Sequence, residues 1–372
     1  MTNEVQTPSE ESFKESYKFD LITYICRGQM FHNGHERTVR VALERGRKVV
    51  VIVGSAGKAP DVRNPFSFEQ RKATILDIFN NDPRLIVEPI RDYPYNDTMW
   101  SSYVQKIVKQ HVGDDADARV ALIGHRKEDT GYYIDMFPQW EFVEVGQTID
   151  ICASDLRKIL FDTVLSLANK LDKLAPFMSE KSIQHVKKFA YDVDVNGVAM
   201  PTTEMARLQR EASFLKKHAA AWAAAPYAPT FITVDAVVIQ SGHVLLVKRR
   251  SAPGEGLWAI PGGYLDQGER IRDAYIRELV EETRIKVSAN TIRGSVVDQE
   301  VFDYPGRSLR GRIVTHAFCI KLRNGKLPAV KAASDAKRAV WVPLEEFYQM
   351  QDQMFEDHFY IIDHFVSKMK DA

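Results

Sequence analysis

A run of glycine, acidic and arginine residues in the C-terminal half constrains this chain more than any other feature. Residues 274–283 within it are predicted to form a helix, which places Glu278, Glu281 and Glu282 at i, i+3 and i+4 on one face. Clustered carboxylates repel one another, so the fold needs something that neutralises them. The members of the run, in order, are Gly263, Glu269, Arg277, Glu278, Glu281 and Glu282.

Two explanations of this acidic face are open. A solvated charged face is the usual one, but it gains more from intermixed opposite charges than from three clustered acids. Oxygen-rich clusters also suit Mg²⁺ or Mn²⁺, which neutralise the repulsion and bridge to a diphosphate. Gly262 and Gly263 precede the helix and would let the backbone bend closely around a metal and phosphates.

Length and charge limit the classes of protein that this chain can belong to. Its 372 residues suggest two or three domains at roughly 150 residues each. Fifty Lys plus Arg balance fifty Asp plus Glu, so no overall field attracts nucleic acid or a membrane. Three cysteines without metal-ligand spacing fit a reducing compartment, and neither a signal peptide nor a membrane-spanning stretch is evident. We therefore expect a cytoplasmic protein.

The first half alternates short apolar runs with longer amphipathic segments. Such alternation predicts a parallel sheet covered by helices, and ligands bind at the carboxyl ends of its strands. The predicted strands are residues 21–26, 48–53, 85–88, 120–123 and 142–145. The predicted helices are residues 35–45, 67–79, 101–110 and 154–171.

From about residue 200 the pattern changes. A helix over 202–224 ends before Pro226 and Pro229 and reads as a connector. Beyond it come a hairpin, the acidic helix and further strands, which predict a mixed α+β domain around one central helix. The domain prediction is therefore residues 1–190, a helical connector at 191–225, and residues 226–372.

A second motif, His32-Asn33-Gly34-His35, lies where the first strand passes into a helix. The unpaired N–H groups of a helix N-terminus can hold a nucleotide phosphate. Two histidines would add donors for the charge that develops as pyrophosphate leaves. A histidine pair at a helix start can equally be a cap and packing feature, and the motif alone does not decide between the two.

Other residues in the first half bear on this choice. Near residue 152 a strand passes into a helix, where Ser154 could cap the helix and Arg157 could reach a phosphate. Together with the histidines, this ordered set resembles the nicotinamide-mononucleotide adenylyltransferases of archaeal type, whose histidines bind ATP phosphates and whose late Arg holds the triphosphate. The resemblance implies a Rossmann-like nucleotidyltransferase domain that binds ATP and nicotinamide mononucleotide. The further ligand-binding candidates that it suggests are Arg27, Asn64, Arg71, Asn96 and Trp100.

Two details qualify this resemblance. The loop before the histidines reads Cys26-Arg27-Gly28-Gln29-Met30-Phe31, without the first Gly and the Pro that are usual in the family. Trp100 is the candidate for contact with the nicotinamide ring, and plain core packing is the competing explanation.

The acidic run resembles the Nudix box, with Arg284 where the family has Gly. The resemblance implies that Glu278, Glu281 and Glu282 bind divalent cations and that Arg277 orients a glutamate. The metal would lower the pKa of an attacking water. Flanking residues resemble those of ADP-ribose pyrophosphatases and suggest Asp235, Gly263, Arg307 and Arg310 as substrate-binding residues; a basic surface loop would equally explain the two arginines.

Taken together, the chain resembles enzymes that fuse nicotinamide-mononucleotide adenylyltransferase to a Nudix ADP-ribose pyrophosphatase. The resemblance implies NAD synthesis from ATP and nicotinamide mononucleotide, and metal-dependent cleavage of ADP-ribose to AMP and ribose 5-phosphate. Two alternatives stay open: an adenylyltransferase for another acceptor, and a Nudix half that senses ADP-ribose without cleaving it. The sequence is compatible with a homo-oligomer and does not give its size.

Overall fold

The computed structural model describes residues 17–115, 117–126, 132–146, 152–333 and 336–369. The chain forms two compact units. The first comprises Met1–Gly57 and Arg63–Met205, and the second comprises Lys58–Val62 and Ala206–Ala372. The predicted connector is thus divided, because residues 191–205 lie in the first unit and residues 206–225 in the second.

A five-stranded sheet in the order β3-β2-β1-β4-β5 forms the centre of the first unit. Each pair of neighbouring strands is parallel, as the alternating pattern predicts. The central strands are mostly apolar because both faces of the sheet are buried in separate hydrophobic clusters. The strands are β1 (Phe19–Cys26), β2 (Gly46–Val53), β3 (Leu85–Pro89), β4 (Val120–Gly124) and β5 (Glu141–Glu144).

Helices connect these strands and continue beyond the sheet. They are α1 (Asn33–Arg45), α2 (Phe68–Ile78), α3 (Asp97–Val112), α4 (Ala153–Phe161), α5 (Leu167–Leu174) and α6 (Glu180–Ala190), followed by a hairpin of β6 (Tyr191–Val193) and β7 (Ala199–Pro201). The single helix predicted over 154–171 is wrong. Asp162 ends α4 and accepts hydrogen bonds from Val164 N and Leu165 N, and Ser166 then caps α5 by accepting from Asn169 N.

The second unit begins with most of α7 (Thr203–Ala221) and is built on a mixed sheet. The strand order is β10-β9-β8-β13-β12, with β11 on β8 and β14 on β9; β13 runs parallel to β8, and the other pairs are antiparallel. The strands are β8 (Thr230–Gln240), β9 (His243–Arg249), β10 (Trp258–Ala259), β11 (Gly262–Tyr264), β12 (Val296–Phe302), β13 (Arg312–Lys321) and β14 (Ala336–Pro343).

Alternate residues of β8 face two different hydrophobic clusters. Val234, Ala236 and Val238 pack with α8 (Ile271–Thr283), the helix of the acidic run. Val237 and Ile239 face the opposite way and pack with the last helix of the unit, His358–Met369. The prediction of one central helix is incomplete, because α9 (Ala289–Gly294), α10 (Leu344–Phe347) and α11 (His358–Met369) are also present. Among the described residues, no helix combines the length and apolar character that crossing a membrane requires.

Candidate functional sites

A cavity of about 330 Å³ in the first unit gathers five of the predicted nucleotide-binding residues. It lies where β1 passes into α1 and where α4 begins, at the carboxyl side of the parallel sheet, as open α/β sheets favour. The predicted residues that line it are Arg27, His32, His35, Ser154 and Arg157.

The histidines both cap the helix and line the cavity, so the two explanations are not exclusive. His32 is the N-cap of α1 and its Nδ1 accepts from Gly34 N at 3.1 Å. His35 Nδ1 accepts from His32 N at 3.4 Å, and the two rings are 4.0 Å apart. A neutral imidazole whose Nδ1 accepts carries its proton on Nε2. The backbone therefore selects the tautomer that makes each Nε2 a donor.

The start of α4 differs from the prediction. Cys152 is the N-cap and makes no side-chain cap hydrogen bond. The helix begins at Ala153, so Ser154 lies two residues past the N-cap position and does not cap the helix; the predicted cap is wrong. Ser154 Oγ instead accepts from Arg157 Nη2 at 3.0 Å, which fixes the guanidinium at the cavity wall.

Arg71 holds loops together and is not among the residues that line this cavity. Its guanidinium is buried and donates to the carbonyl oxygens of Arg27 and Gly54, both at 2.6 Å, and of Ser55 at 3.2 Å. Burial lowers the pKa of Arg71 to about 10. Arg71 thus shapes the loop that carries Arg27. Asn64 is likewise buried and does not line the cavity.

Asn96 and Trp100 lie on α3 and also do not line the cavity. Asn96 is the N-cap, and its Oδ1 accepts from Met99 N at 2.9 Å. Trp100 is half-buried, with ring centroids 6.0 Å from Phe137 and 6.2 Å from Tyr133. The geometry fits the core-packing explanation of this tryptophan.

The cavity wall also contains Arg37, Thr38 and His125, polar residues that were not predicted from the sequence. Arg37 and Thr38 lie on α1, and Thr38 Oγ1 donates to Gly34 O at 3.1 Å. His125 follows β4, with its Nδ1 3.0 Å from Val145 O. Its position at the carboxyl end of a parallel strand is the signal that could have identified it.

In the second unit, Arg277 joins three acids of the acidic run. Its guanidinium donates to Glu269 Oε1 at 2.9 Å, to Glu278 Oε1 at 2.8 Å and to Glu281 Oε2 at 3.2 Å. Hydrogen bonding to Arg277 lowers the pKa of Glu269 and, reciprocally, raises that of Arg277. Arg277 therefore both orients the glutamates and offsets their repulsion.

The two glycines before α8 lie against the remaining carboxylates. Gly262 N donates to Glu282 Oε2 at 3.1 Å, and a Cβ at Gly262 would lie 2.3 Å from Val234 O. A Cβ at Gly263 would lie 2.5 Å from Glu278 Oε1. Only glycine leaves room for this approach of backbone and acids.

The acids fit a hard divalent cation by chemistry. Carboxylate oxygens of one helix face are the ligands that Mg²⁺ and Mn²⁺ take, and the glycines leave space beside them. Within the described residues, no three such side chains already converge on one point. Arg277 holds Glu278 and Glu281 instead, so metal binding would require these carboxylates to turn away from it.

Arg284 occupies the left-handed conformation after α8, with φ of 45° and ψ of 36°. Its N–H donates to Val280 O at 2.9 Å, which closes the last turn. The helix therefore does not run further to avoid the missing glycine, and the three glutamates lie upstream of the change.

The other predicted substrate-binding residues of this unit are held by polar side chains of the same unit. Asp235 lies on the face of β8 opposite α8, where its Oδ2 accepts from Thr315 Oγ1 at 2.5 Å; burial raises its pKa to about 6. Arg307 donates to both carboxylate oxygens of Asp357, at 2.9 and 2.8 Å. Arg310 donates to Glu356 Oε2 at 3.0 Å.

The surface-loop explanation of the two arginines is wrong. The side chains of Arg307 and Arg310 are only 2% and 13% exposed. Their acidic partners, Asp357 and Glu356, carry no local motif and are distant in sequence, so they were not predicted. Arg307 is an internal ion-pair residue in this structure.

Comparisons with known proteins match each half separately. A cytidylyltransferase-like family model matches residues 27–136, and a NUDIX domain model matches residues 229–365. Nicotinamide/nicotinic acid mononucleotide adenylyltransferase of Acinetobacter baylyi is 35% identical over 130 residues, which are 35% of this chain and 68% of the relative. ADP-ribose pyrophosphatase of Methanocaldococcus jannaschii is 32% identical over 113 residues, 30% of this chain and 62% of the relative.

Solved structures match both halves at once. A bifunctional NMN adenylyltransferase/ADP ribose pyrophosphatase from Francisella tularensis has a TM-score of 0.83 at 33% identity, covering 94% of this chain and 99% of its own. A second structure of that protein, 32% identical, is complexed with AMP and a manganese ion. This chain belongs to the family of bifunctional NMN adenylyltransferase/ADP-ribose pyrophosphatases.

Proposed function

We propose that the first unit transfers the adenylyl group of ATP to nicotinamide mononucleotide, giving NAD and pyrophosphate. The observation that carries this proposal is the convergence of His32, His35, Ser154 and Arg157 on one cavity at the carboxyl side of a parallel sheet. Membership of the family supports the same acceptor.

The chemistry follows from the donors that line the cavity. An oxygen of the mononucleotide phosphate attacks the α-phosphorus of ATP, and the bond from that phosphorus to the bridging oxygen of pyrophosphate breaks. Negative charge then builds on the leaving group. The Nε2–H groups of His32 and His35, fixed by backbone hydrogen bonds to their Nδ1 atoms, would donate to this charge. Arg157 would hold the triphosphate.

His35→Ala tests this role. Removing one such donor should lower the turnover of NAD synthesis by about two to three powers of ten. The purified protein would be incubated with ATP and either the amidated or the acid mononucleotide, and products resolved by chromatography. If His35→Ala kept the wild-type turnover, His35 would have no role in stabilising the transition state. If the wild type formed a product only with another phosphorylated acceptor, that acceptor would replace nicotinamide mononucleotide as the assigned substrate.

We propose that the second unit hydrolyses ADP-ribose to AMP and ribose 5-phosphate with Mg²⁺ or Mn²⁺. Glu278, Glu281 and Glu282 would hold the ion, which when bound polarises the diphosphate and lowers the pKa of the attacking water. Arg277 already positions two of these acids, and Gly262 N–H positions the third. The water oxygen bonds to one phosphorus of the diphosphate, the bond from that phosphorus to the bridging oxygen breaks, the other phosphate leaves with the bridging oxygen, and the protons of the water pass to solvent.

The hydrolase is tested by incubating the protein with ADP-ribose and Mg²⁺, with and without excess chelator. We expect AMP release that the chelator abolishes and that added Mg²⁺ restores. Binding of ADP-ribose without AMP release would instead support the sensor alternative.

A further inference from the structure

His316 lies in a row of residues that leads to the Nudix carboxylates. In the sheet, His316 of β13 pairs with Val234 of β8, and Val234 pairs with Gly263 of β11. Side chains of paired residues in adjacent strands point to the same face. Val234 packs in the cluster that α8 covers, so His316 is on the face of the metal-binding helix.

The other end of this row is the Glu278 carboxylate. Its Oε1 lies 2.5 Å from the position that a Cβ of Gly263 would take, directly above the sheet. Two strand spacings of about 4.8 Å each place the His316 and Gly263 backbones roughly 10 Å apart. That span is within the reach of a substrate whose diphosphate lies beside Glu278.

The Nδ1 atom of His316 is buried and has no hydrogen-bond partner among the described residues. Burial lowers its pKa, so the ring is neutral near pH 7. A buried N–H without an acceptor is costlier than a buried lone pair, which favours the proton on Nε2. The hydrogen-bond donor of the ring is therefore Nε2–H.

The sheet beside His316 is open. One pair further along the same face, Phe318 stacks on Tyr275 of α8 with centroids 4.0 Å apart, and there the helix covers the sheet. Val301 of β12 pairs with His316 and is 44% exposed. Gln299, the next residue of β12 on the same face, is also exposed. His316 thus stands at the border between the helix and an uncovered strip of sheet.

We propose that His316 Nε2–H donates a hydrogen bond to an oxygen of the substrate next to the scissile diphosphate, and that the strip of β12 and β13 beside it seats this part of the substrate. The inference rests on the proposed hydrolase function and deepens it. It assigns to β13 a substrate-contacting residue outside the acidic run.

The test compares three variants of the full chain. His316→Phe keeps a ring but removes the donor, and it should raise KM for ADP-ribose about threefold to tenfold, the range for one neutral hydrogen bond, with little change in kcat. His316→Gln restores an N–H and should stay within about twofold of wild type. His364→Phe is the matched control, because His364 is a half-buried histidine beside Glu300, on the side of β12 that faces away from α8. NAD synthesis should be unchanged in all three.

A binding measurement separates this inference from the proposed function. Calorimetry with ADP-ribose and Mg²⁺ in a Glu282→Gln background should show the same loss of affinity on His316→Phe, whether or not the wild type releases AMP. If the wild type hydrolyses ADP-ribose and His316→Phe has the same KM and the same affinity for it, His316 does not contact the substrate, while the proposed hydrolase function is retained. A chain that neither binds nor cleaves ADP-ribose would overturn both. If His316→Phe unfolds, loss of affinity in His316→Gln with an unchanged melting temperature would count against the donor role.

Discussion

At the scale of single residues, the ion pair of Arg307 and Asp357 shows how charge is used inside the second unit. Both side chains are almost fully buried, at 2% and 6% exposure. Breaking such a pair leaves an uncompensated buried charge, which costs far more than the pair itself contributes. The nearby Asp235, whose pKa burial raises to about 6, adds to that cost above its pKa.

We therefore predict that Arg307→Met lowers the free energy of unfolding by about 3 kcal/mol. The double variant with Asp357→Leu should recover part of that loss, because no lone charge remains. Urea denaturation of the single and double variants at pH 7.5 measures both. Unchanged stability together with a raised KM for ADP-ribose would return Arg307 to the substrate-binding set.

Arg284 offers a second prediction at this scale. A left-handed residue with a Cβ carries a strain of roughly 1–2 kcal/mol, which glycine would relieve, while glycine also gains entropy in the unfolded chain. The two effects oppose, so Arg284→Gly should change stability by about 1 kcal/mol or less and change ADP-ribose turnover little. If the wild-type protein did not hydrolyse ADP-ribose but the Arg284→Gly variant did, this expectation would be contradicted and the sensor alternative would be favoured.

At the scale of elements, the first turn of α11 is tied to the loop before β11 by a buried histidine. His358 Nδ1 accepts from Ile260 N at 2.9 Å, and burial lowers the pKa of His358 to about 3. In the unfolded chain the His358 imidazole takes up a proton near pH 6.5, whereas in the folded protein it stays neutral at that pH. This contact is therefore fully stabilising above pH 6.5 and weakens as the pH falls toward the folded pKa.

The prediction is that His358→Asn, whose amide oxygen can still accept from Ile260 N–H, removes part of the acid sensitivity. Between pH 7.5 and 5.5 the wild type should lose about 1 kcal/mol more unfolding free energy than the variant. Urea denaturation at the two pH values, taken as a difference of differences, measures it. Equal losses would mean that folding does not lower the pKa of His358.

Most elements could be predicted because their side chains carry the pattern locally. The central parallel strands contain continuous apolar runs, such as residues 49–53 of β2 and 120–123 of β4, and burial on both faces of the sheet explains them. By contrast, β12 mixes valine with Asp298 and Glu300 because one face is open and the other is bordered by Lys368, so no clean alternation marks it. The two motifs were predictable from spacing. Asp357, the ion-pair partner of Arg307, was not predictable, since it lies 50 residues further along the chain.

At the scale of the whole molecule, the proposed sites lie in separate units, each with its own core. Glu282→Gln should therefore abolish most ADP-ribose cleavage and leave NAD synthesis at the wild-type rate. The amide oxygen can still accept from Gly262 N–H, so the fold should persist. Both activities would be measured on one preparation. Loss of both with an unchanged melting temperature would show that the sites are coupled.

Five residues of the second unit, Lys58–Val62, lie in the sequence between the two segments of the first unit. Helix α7 holds them, since Arg207 Nη2 donates to Pro60 O at 2.7 Å and Glu211 accepts from the backbone of Val62. A gene fragment that starts at Ala206 would encode most of α7 but not the residues Lys58–Val62 that it holds. Exchange of the second unit between relatives, by recombination or by cloning, must therefore transfer two stretches of coding sequence together.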